Sequence, residues 1–186
     1  AFVAHTRPDV RWCDLRGNVD SRVRKVLSGT CDAAILAAAG LERLGLLGSA
    51  GGASPLPVED FVPAAGQGAI CVQCRADDGA SAAVAAALDD PSTALAVTIE
   101  REVLAALGGG CMVPIGAHAR VANGKWELIA AIAALDGSSV VRRTAGGTGE
   151  DADAIFAAAK AFGHAMLADG GREMVEAFRS AGAGRT

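Results

Sequence analysis

Aromatic residues, histidines and long apolar runs are scarce in this chain of 186 residues. Aromatic side chains make up 4% of it, with no tyrosine, and its three histidines are scattered. No apolar run reaches the eighteen or more residues of a membrane-spanning helix, so we expect a soluble protein without a membrane partner. Because Ala (42) and Gly (24) are abundant, we expect a core of small side chains, which bury little area each and need close packing.

The five cysteines form an odd set with irregular spacing. This argues against a disulfide framework and for a reducing compartment, so we expect a cytoplasmic location. Cys71 and Cys74 have the spacing of half a zinc site, yet residues three apart in the strand predicted there point to opposite faces. We interpret them as two small buried residues and predict no metal site. The scattered histidines also argue against a hydrolase triad.

Positive charge is concentrated near the start of the chain. The net charge of the whole chain is −4, whereas residues 1–30 carry a net charge of +3. A basic island in an acidic chain suggests a specific anionic ligand, since nucleic acid usually needs a broader positive face. We therefore expect no nucleic-acid partner. A solvated helix face is the alternative explanation of the island.

The first third of the chain alternates predicted strands with predicted helices. The strands are expected over residues 10–15 and 32–37, and the helices over 19–27 and 40–45. Such alternation indicates a parallel α/β sheet. Asn18 and Asp20 are candidates to cap the first helix, whose free backbone N–H groups make a site for a carboxylate or phosphate.

The middle of the chain begins with a glycine-rich turn. Residues 63–68, Pro-Ala-Ala-Gly-Gln-Gly, predict a hinge or a ligand-facing turn, because two glycines supply unusual backbone freedom. Residues 69–74 alternate like a strand, and 79–88 predict an Ala-rich helix. Asp90 and Pro91 then provide an N-cap and a first-turn proline for a longer helix.

The last third has the pattern of a small α+β domain. Strands are expected over 117–122, 126–135 and 139–144, and helices over 151–167 and 173–179. Asn123-Gly124 and Asp136-Gly137 are hairpin turn sequences, so the three strands should form an antiparallel meander. The predicted fold class is α/β: the remainder of a mixed or parallel-sheet α/β domain, then an α+β domain with a three-stranded antiparallel sheet and helices on one face.

A run of three glycines precedes Cys111, in a predicted loop between a helix and a strand. Glycines let another molecule approach the thiol closely. The alternative is a buried structural cysteine in a turn.

Four ordered blocks of sequence carry a resemblance to a known family. They are LRGNVDSRVRK (15–25), DAAILAAAGLERLGL (32–46), PAAGQG (63–68) and GGCMVPIG (109–116). Together they resemble porphobilinogen deaminase, also called hydroxymethylbilane synthase. The resemblance runs from about residue 7 to about residue 178 and covers the C-terminal part of the family's length.

The resemblance implies an enzyme that joins four porphobilinogen units head to tail, with release of ammonia, on a dipyrromethane cofactor. The cofactor is expected on Cys111 through a thioether, beside Gly110. Arg16 and Arg22 are expected to hold carboxylates of cofactor or substrate, and Arg43 those of the next ring. Arginine suits this task because its planar fork binds carboxylate bidentately.

The resemblance also implies a division into domains. Residues 1–62 would be an incomplete middle domain with an arginine cleft, 63–88 a hinge and strand returning toward the family's N-terminal domain, and 89–186 the C-terminal domain with the cofactor cysteine. The family's catalytic aspartate belongs to the N-terminal domain. We interpret Asp14 and Asp20 as strand-end and capping residues, so no catalytic residue is assigned and the chain alone is expected to be inactive.

Two alternatives to a complete enzyme stay open. One is a non-catalytic module that binds polycarboxylate anions, and the other is an interaction domain derived from the family. The N-terminal domain on a separate fragment is a further expected partner, in addition to porphobilinogen.

Overall fold

The computed structural model describes residues 1–48, 52–108 and 113–183. Its helices are α1 (Phe2–Thr6), α2 (Val19–Leu27), α3 (Ala38–Arg43), α4 (Gly79–Ala86), α5 (Pro91–Ala106), α6 (Ala152–Met166) and α7 (Arg172–Ala183). Its strands are β1 (Ile115–Ala122), β2 (Lys125–Ala133) and β3 (Val140–Thr148). The chain divides into two compact units, one of Asp9–Pro57 and one of Ala1–Pro8 with Val58–Thr186.

The smaller unit contains α2 and α3. Val23 of α2 and Leu41 of α3 are buried, and a Cβ on Gly40 would lie 3.5 Å from Cγ2 of Val19. Gly40 of α3 therefore lies at ordinary packing distance from the first turn of α2.

The helix predicted over 19–27 is confirmed to the residue, and the one predicted over 40–45 occurs at Ala38–Arg43. The strands predicted over 10–15 and 32–37 are wrong, since both segments are irregular. A strand needs a neighbour to pair its backbone groups, and no parallel neighbour occurs within the described part of the chain.

The three-stranded antiparallel sheet lies in the larger unit and has the order β1-β2-β3, as predicted. Asn123 (φ +53°) and Gly124 (φ +68°) connect the first two strands. Two consecutive positive φ angles define the hairpin turn that the Asn-Gly sequence predicts.

Helices α5 and α6 cover one face of this sheet, which confirms the predicted arrangement. Ile99 and Val103 of α5, Ile132 of β2 and Met166 of α6 are fully buried at the centre of the core. Each such side chain stabilises the fold by about 1.5–3 kcal/mol through burial. A Cβ on Gly163 would lie 2.7 Å from Cβ of Ala106, so α5 and α6 pack as closely as the small side chains predict.

The two C-terminal helices are separated by a kink. Asp169 and Gly170 leave helical geometry there, and Gly170 has a φ of +102°. That angle belongs to the left-handed region, which glycine enters without steric cost.

Residues 67–90 extend away from the core, and we call this segment the arm. All of its residues are exposed except Asp78 and Ala85, which are half-buried. The strand predicted over 69–74 is wrong, because these residues lack a pairing strand among those the structure describes. Cys71 and Cys74 are exposed rather than buried, since nothing covers an unpaired segment. The helix predicted over 79–88 occurs as α4.

No single helix in the described ranges is both long and apolar enough to span a membrane. Helices α4 and α5 reach that length and composition only when taken together, and they meet at a bend of 99°.

Candidate functional site

The loop before α2 is shaped by cations from the helix that follows it. Nε of Arg22 donates to the carbonyl oxygen of Gly17 over 2.8 Å, and Nζ of Lys25 donates to the carbonyl oxygen of Arg16 over 2.9 Å. Gly17 has a φ of +119°, which a residue with a Cβ rarely adopts. Two carbonyl groups of the loop are therefore turned toward α2, and these bonds hold the loop against the N-terminal end of that helix.

The first turn of α2 has unpaired donors. Asn18 occupies the N-cap position but makes no side-chain capping bond, and the first intrahelical bond runs from the N–H of Arg22 to the carbonyl of Asn18. The N–H groups of residues 19–21 have no acceptor among the described residues. They carry the partial positive charge of a helix N-terminus, which attracts an anion. The predicted capping by Asn18 is thus confirmed in position but not in hydrogen bonding.

The arginines of this unit differ in what they contact. Arg16 and Arg43 are exposed, and neither side chain has a hydrogen bond or ion pair with any residue that the structure describes. Half-buried Arg22 uses its Nε for Gly17 and keeps its two terminal nitrogens. Arg24, by contrast, forms an ion pair with Asp20 at 3.0 Å. Among the described residues, the three arginines predicted to bind carboxylate therefore form no ion pair, whereas Arg24 does.

The structure carries these three arginines in one compact unit. Arg16 lies in the loop, Arg22 in α2, and Arg43 one turn beyond Gly40, the residue of α3 that packs near Val19. Free guanidinium groups and unpaired N–H groups within one unit suit a ligand with several carboxylates.

Gly110 and Cys111 lie outside the described residues. The elements on either side of them are α5, which ends at Ala106, and β1, which begins at Ile115. Nη2 of Arg179 in α7 donates to the carbonyl oxygen of Gly108, so α7 fixes the chain just beyond α5. No pattern in the sequence singled out Arg179.

Glu100 is a buried carboxylate that the sequence analysis missed. Its side chain lies on the apolar face of α5 beside Ile99 and Val103, and the residue is 5% exposed. Oε2 accepts from the N–H of Gly66 at 2.6 Å, and Oε1 accepts from the N–H of Ala119 at 2.8 Å. A charged residue at an apolar helix position was the available signal.

His118 contacts the same carboxylate. Its Nδ1 lies 3.5 Å from Oε1 of Glu100, and its side chain is 30% exposed. Within the described residues, no three His, Cys, Asp or Glu side chains group closely enough to hold a metal ion.

Comparisons with known proteins bear on both units. Residues 1–83 match the family model described as "Porphobilinogen deaminase, dipyromethane cofactor binding domain", and residues 94–167 match "Porphobilinogen deaminase, C-terminal domain". The two models together account for most of the chain.

Three curated relatives are named porphobilinogen deaminase. The one from Syntrophobacter fumaroxidans is 42% identical over 170 residues, 91% of this chain and 53% of the relative. The one from Brevibacillus brevis is 47% identical over 146 residues, which are 78% of this chain and 46% of the relative. The one from Pelobacter propionicus is 39% identical over 176 residues, which are 95% of this chain and 55% of the relative. The chain thus spans about half the length of these relatives.

Proposed function

The chain belongs to the porphobilinogen deaminase family, and from this premise we propose that it serves hydroxymethylbilane synthesis. In that reaction porphobilinogen units are joined head to tail and ammonia is released at each addition. The role proposed for this chain is to hold the dipyrromethane cofactor and the growing pyrrole chain. The observation that carries the proposal is the set of uncommitted arginines in the part that matches the cofactor-binding model.

The residues present fit such a cofactor. Each pyrrole ring carries an acetate and a propionate arm, so a dipyrromethane presents several carboxylates. Arg16, Arg22 and Arg43 keep free N–H donors, and the first turn of α2 adds backbone donors. When bound, the cofactor supplies the pyrrole end to which the next unit is joined.

The arginines act by binding and orienting. A hydrogen bond to a charged group contributes about 1.5–3 kcal/mol, but an exposed ion pair contributes only about 0.2–1 kcal/mol. Exposed Arg16 and Arg43 therefore belong to the lower range, and half-buried Arg22 to the upper one. Several such contacts acting together favour a ligand with many carboxylates over one with a single carboxylate.

Cys111 is proposed to hold the cofactor through a thioether, and Gly110 to allow the ring to approach it. A thiolate is the nucleophilic form of cysteine, and the thioether persists once formed because breaking its C–S bond would have to expel a thiolate, which is a poor leaving group here. The support is the match of residues 94–167 to the family's C-terminal domain and the Gly-Gly-Cys sequence itself.

The arm is proposed to dock on the polypeptide that the relatives carry beyond the matched half. Ile70, Val72, Val84 and Leu88 are 77%, 55%, 68% and 70% exposed. An open concavity of about 1080 Å³ lies between residues 72–76 and α4. Residues 70–74 present unpaired backbone groups, which a strand of the partner could complete.

The domain division is retained as part of this proposal. Residues 1–62 would carry the arginine site, 63–88 the hinge and docking segment, and 89–186 the cofactor cysteine. A cytoplasmic location also stays a prediction, supported by the odd set of cysteines.

Binding without turnover is the second candidate function of the isolated chain. The carboxylate of Asp20 is committed to Arg24, and Asp14 is exposed. The carboxylate that stabilises charge on a pyrrole nitrogen and moves protons is proposed to lie in the family's N-terminal part, and such a group typically supplies a factor of about 10²–10⁴. The chain alone would then be a polycarboxylate-binding module.

Staining with Ehrlich's aldehyde reagent, which colours dipyrromethanes, tests the proposal. We expect colour that survives denaturation of the chain, no such colour in Cys111→Ser, and unchanged colour in the matched control Cys71→Ser. Cys71 is an exposed cysteine of the arm. Equal colour in Cys111→Ser and the wild type would refute the attachment site.

A further inference from the structure

The arm is tied to its unit at two places. At its end, Asp90 caps α5 by accepting from the N–H of Thr93 at 2.7 Å. At its start, the turn before Gln67 is held by hydrogen bonds from outside the arm. The orientation of the exposed arm must therefore be determined at these two attachments.

Glu100 provides the attachment at the start of the arm. Its carboxylate accepts from Gly66 and from Ala119, and Gly66 is the last residue before the arm. The turn itself closes through the N–H of Gln67 on the carbonyl of Ala64 at 3.0 Å. Glu100 thus joins the turn to α5 and β1 at once.

Edge strand β1 supports the same attachment. The N–H of Ala117 donates to the carbonyl of Pro63 at 2.8 Å, and the N–H of Ala119 donates to Glu100. These residues lie two apart and so present their N–H groups on the same edge of the strand. The backbone of 63–66 and the carboxylate together cover that edge.

The retention of a charge here needs an explanation. Glu100 is the buried charged residue among those described, and burying a carboxylate is costly unless hydrogen bonds compensate. An apolar side chain would fill the space but could not accept from Gly66 and Ala119. The two hydrogen bonds, together with the contact to Nδ1 of His118, are therefore what the carboxylate adds.

The base of the arm has a defined width. Asp90, the N-cap of α5, and Glu100 lie ten residues apart, which corresponds to about 15 Å along the helix axis. One rigid helix thus carries both attachments.

We propose that Glu100 is a positioning residue that fixes the base of the arm and so sets the direction in which Ile70, Val72, Val84 and Leu88 face the docking partner. The identity of the docking partner rests on the proposed function, whereas the attachment of the arm by Glu100 does not. The inference names a residue through which the C-terminal part of the chain controls its interaction surface.

Amide hydrogen exchange of the full chain tests the attachment. In Glu100→Gln the side chain keeps one acceptor and gains an NH2 group, so one N–H loses its acceptor. The bond to Gly66 is part-buried and that to Ala119 is buried, so Gly66 should be the one released. We expect its amide to exchange at least ~10-fold faster, as the loss of a charge-assisted hydrogen bond implies.

The control is Glu102→Gln, the same change two residues along α5 at a half-buried position; it should leave Gly66 unchanged. Amides of β2 report global stability and should exchange at the wild-type rate in both variants. Unchanged exchange at Gly66, or an equal rise at Gly66 and throughout β2, would overturn the proposal. If Glu100→Gln does not fold, Glu100→Asp replaces it, with the carboxylate one methylene shorter and the same expectation for Gly66.

A binding measurement then tests the consequence for the arm. The N-terminal half of the Brevibacillus brevis relative is the probe, and we expect its affinity to fall about 10-fold in Glu100→Gln and not in Glu102→Gln. No binding by the wild-type chain would refute the docking part of the proposed function, while the exchange result at Gly66 would still decide the attachment. Equal binding by both variants would refute the positioning role.

Discussion

Replacing Arg22 by Lys keeps the positive charge and removes the guanidinium fork. The variant loses the Nε bond to Gly17 and the two terminal nitrogens that we assign to a ligand carboxylate. Lysine has three donors on one atom and cannot reproduce a bidentate pair. Any loss of affinity therefore measures geometry rather than charge.

The expected magnitude follows from the burial of Arg22. Loss of one charge-assisted bond costs about 1.5–3 kcal/mol, and a half-buried position favours the lower end. At about 1.4 kcal/mol per factor of ten, the dissociation constant should rise about 10-fold.

Arg24→Lys is the matched control on the same helix. Arg24 is 71% exposed and paired with Asp20, so its replacement should change the dissociation constant by less than about twofold, as expected for a weak surface pair. Titration calorimetry with a dipyrromethane tetracarboxylate, in a Cys111→Ser chain that binds it reversibly, gives both values. Arg22→Lys binding as tightly as the parent, or Arg24→Lys losing as much as Arg22→Lys, would refute the assignment.

Three further predictions follow from the fold and the proposed function. The isolated chain should form no hydroxymethylbilane, and adding the N-terminal half of a relative should restore formation; steady porphobilinogen consumption by the chain alone would contradict this. Gly163→Val should lower the free energy of unfolding by about 1–3 kcal/mol through overpacking against Ala106. Ala158→Val, on the exposed side of the same helix, should lower it by less than about 1 kcal/mol. Equal losses of stability in urea denaturation would disprove the close contact. The backbone N–H of Thr93 holds the pKa of Asp90 below its ordinary value of 3.8, so the stability from ionised Asp90 is complete above pH 3.8 and is lost as the pH falls through the lowered pKa. The wild type should therefore exceed Asp90→Asn in stability at pH 6. A stability difference that does not shrink in acid would contradict the prediction.

Elements governed by local chemistry were predictable from the sequence. Asp90-Pro91 marks the start of α5, and Asn123-Gly124 marks the first hairpin, because each short sequence determines its own backbone geometry. The helix over 19–27 was also predicted to the residue.

Elements that depend on a distant neighbour were not predictable. The segments 10–15, 32–37 and 69–74 have strand-like composition, yet β structure is decided by a pairing partner rather than by composition. Glu100 was missed because its hydrogen-bond partner Gly66 lies 34 residues away.

Assigning the arginines required both the sequence and the structure. The sequence pattern singled out Arg16, Arg22 and Arg43 through the family resemblance. Only the structure separates them from Arg24, whose guanidinium is paired with Asp20. Whether a cation is committed depends on where a neighbouring carboxylate lies, and this requires coordinates.

Mass spectrometry of the purified chain, produced in a bacterium that makes tetrapyrroles, tests the central claim most directly. The account predicts that the intact chain is heavier than its sequence by one dipyrromethane, that the peptide containing Cys111 carries the whole increment, and that Cys111→Ser has the mass of its sequence alone. An unmodified Cys111, or the increment on exposed Cys13, Cys71 or Cys74, would contradict it.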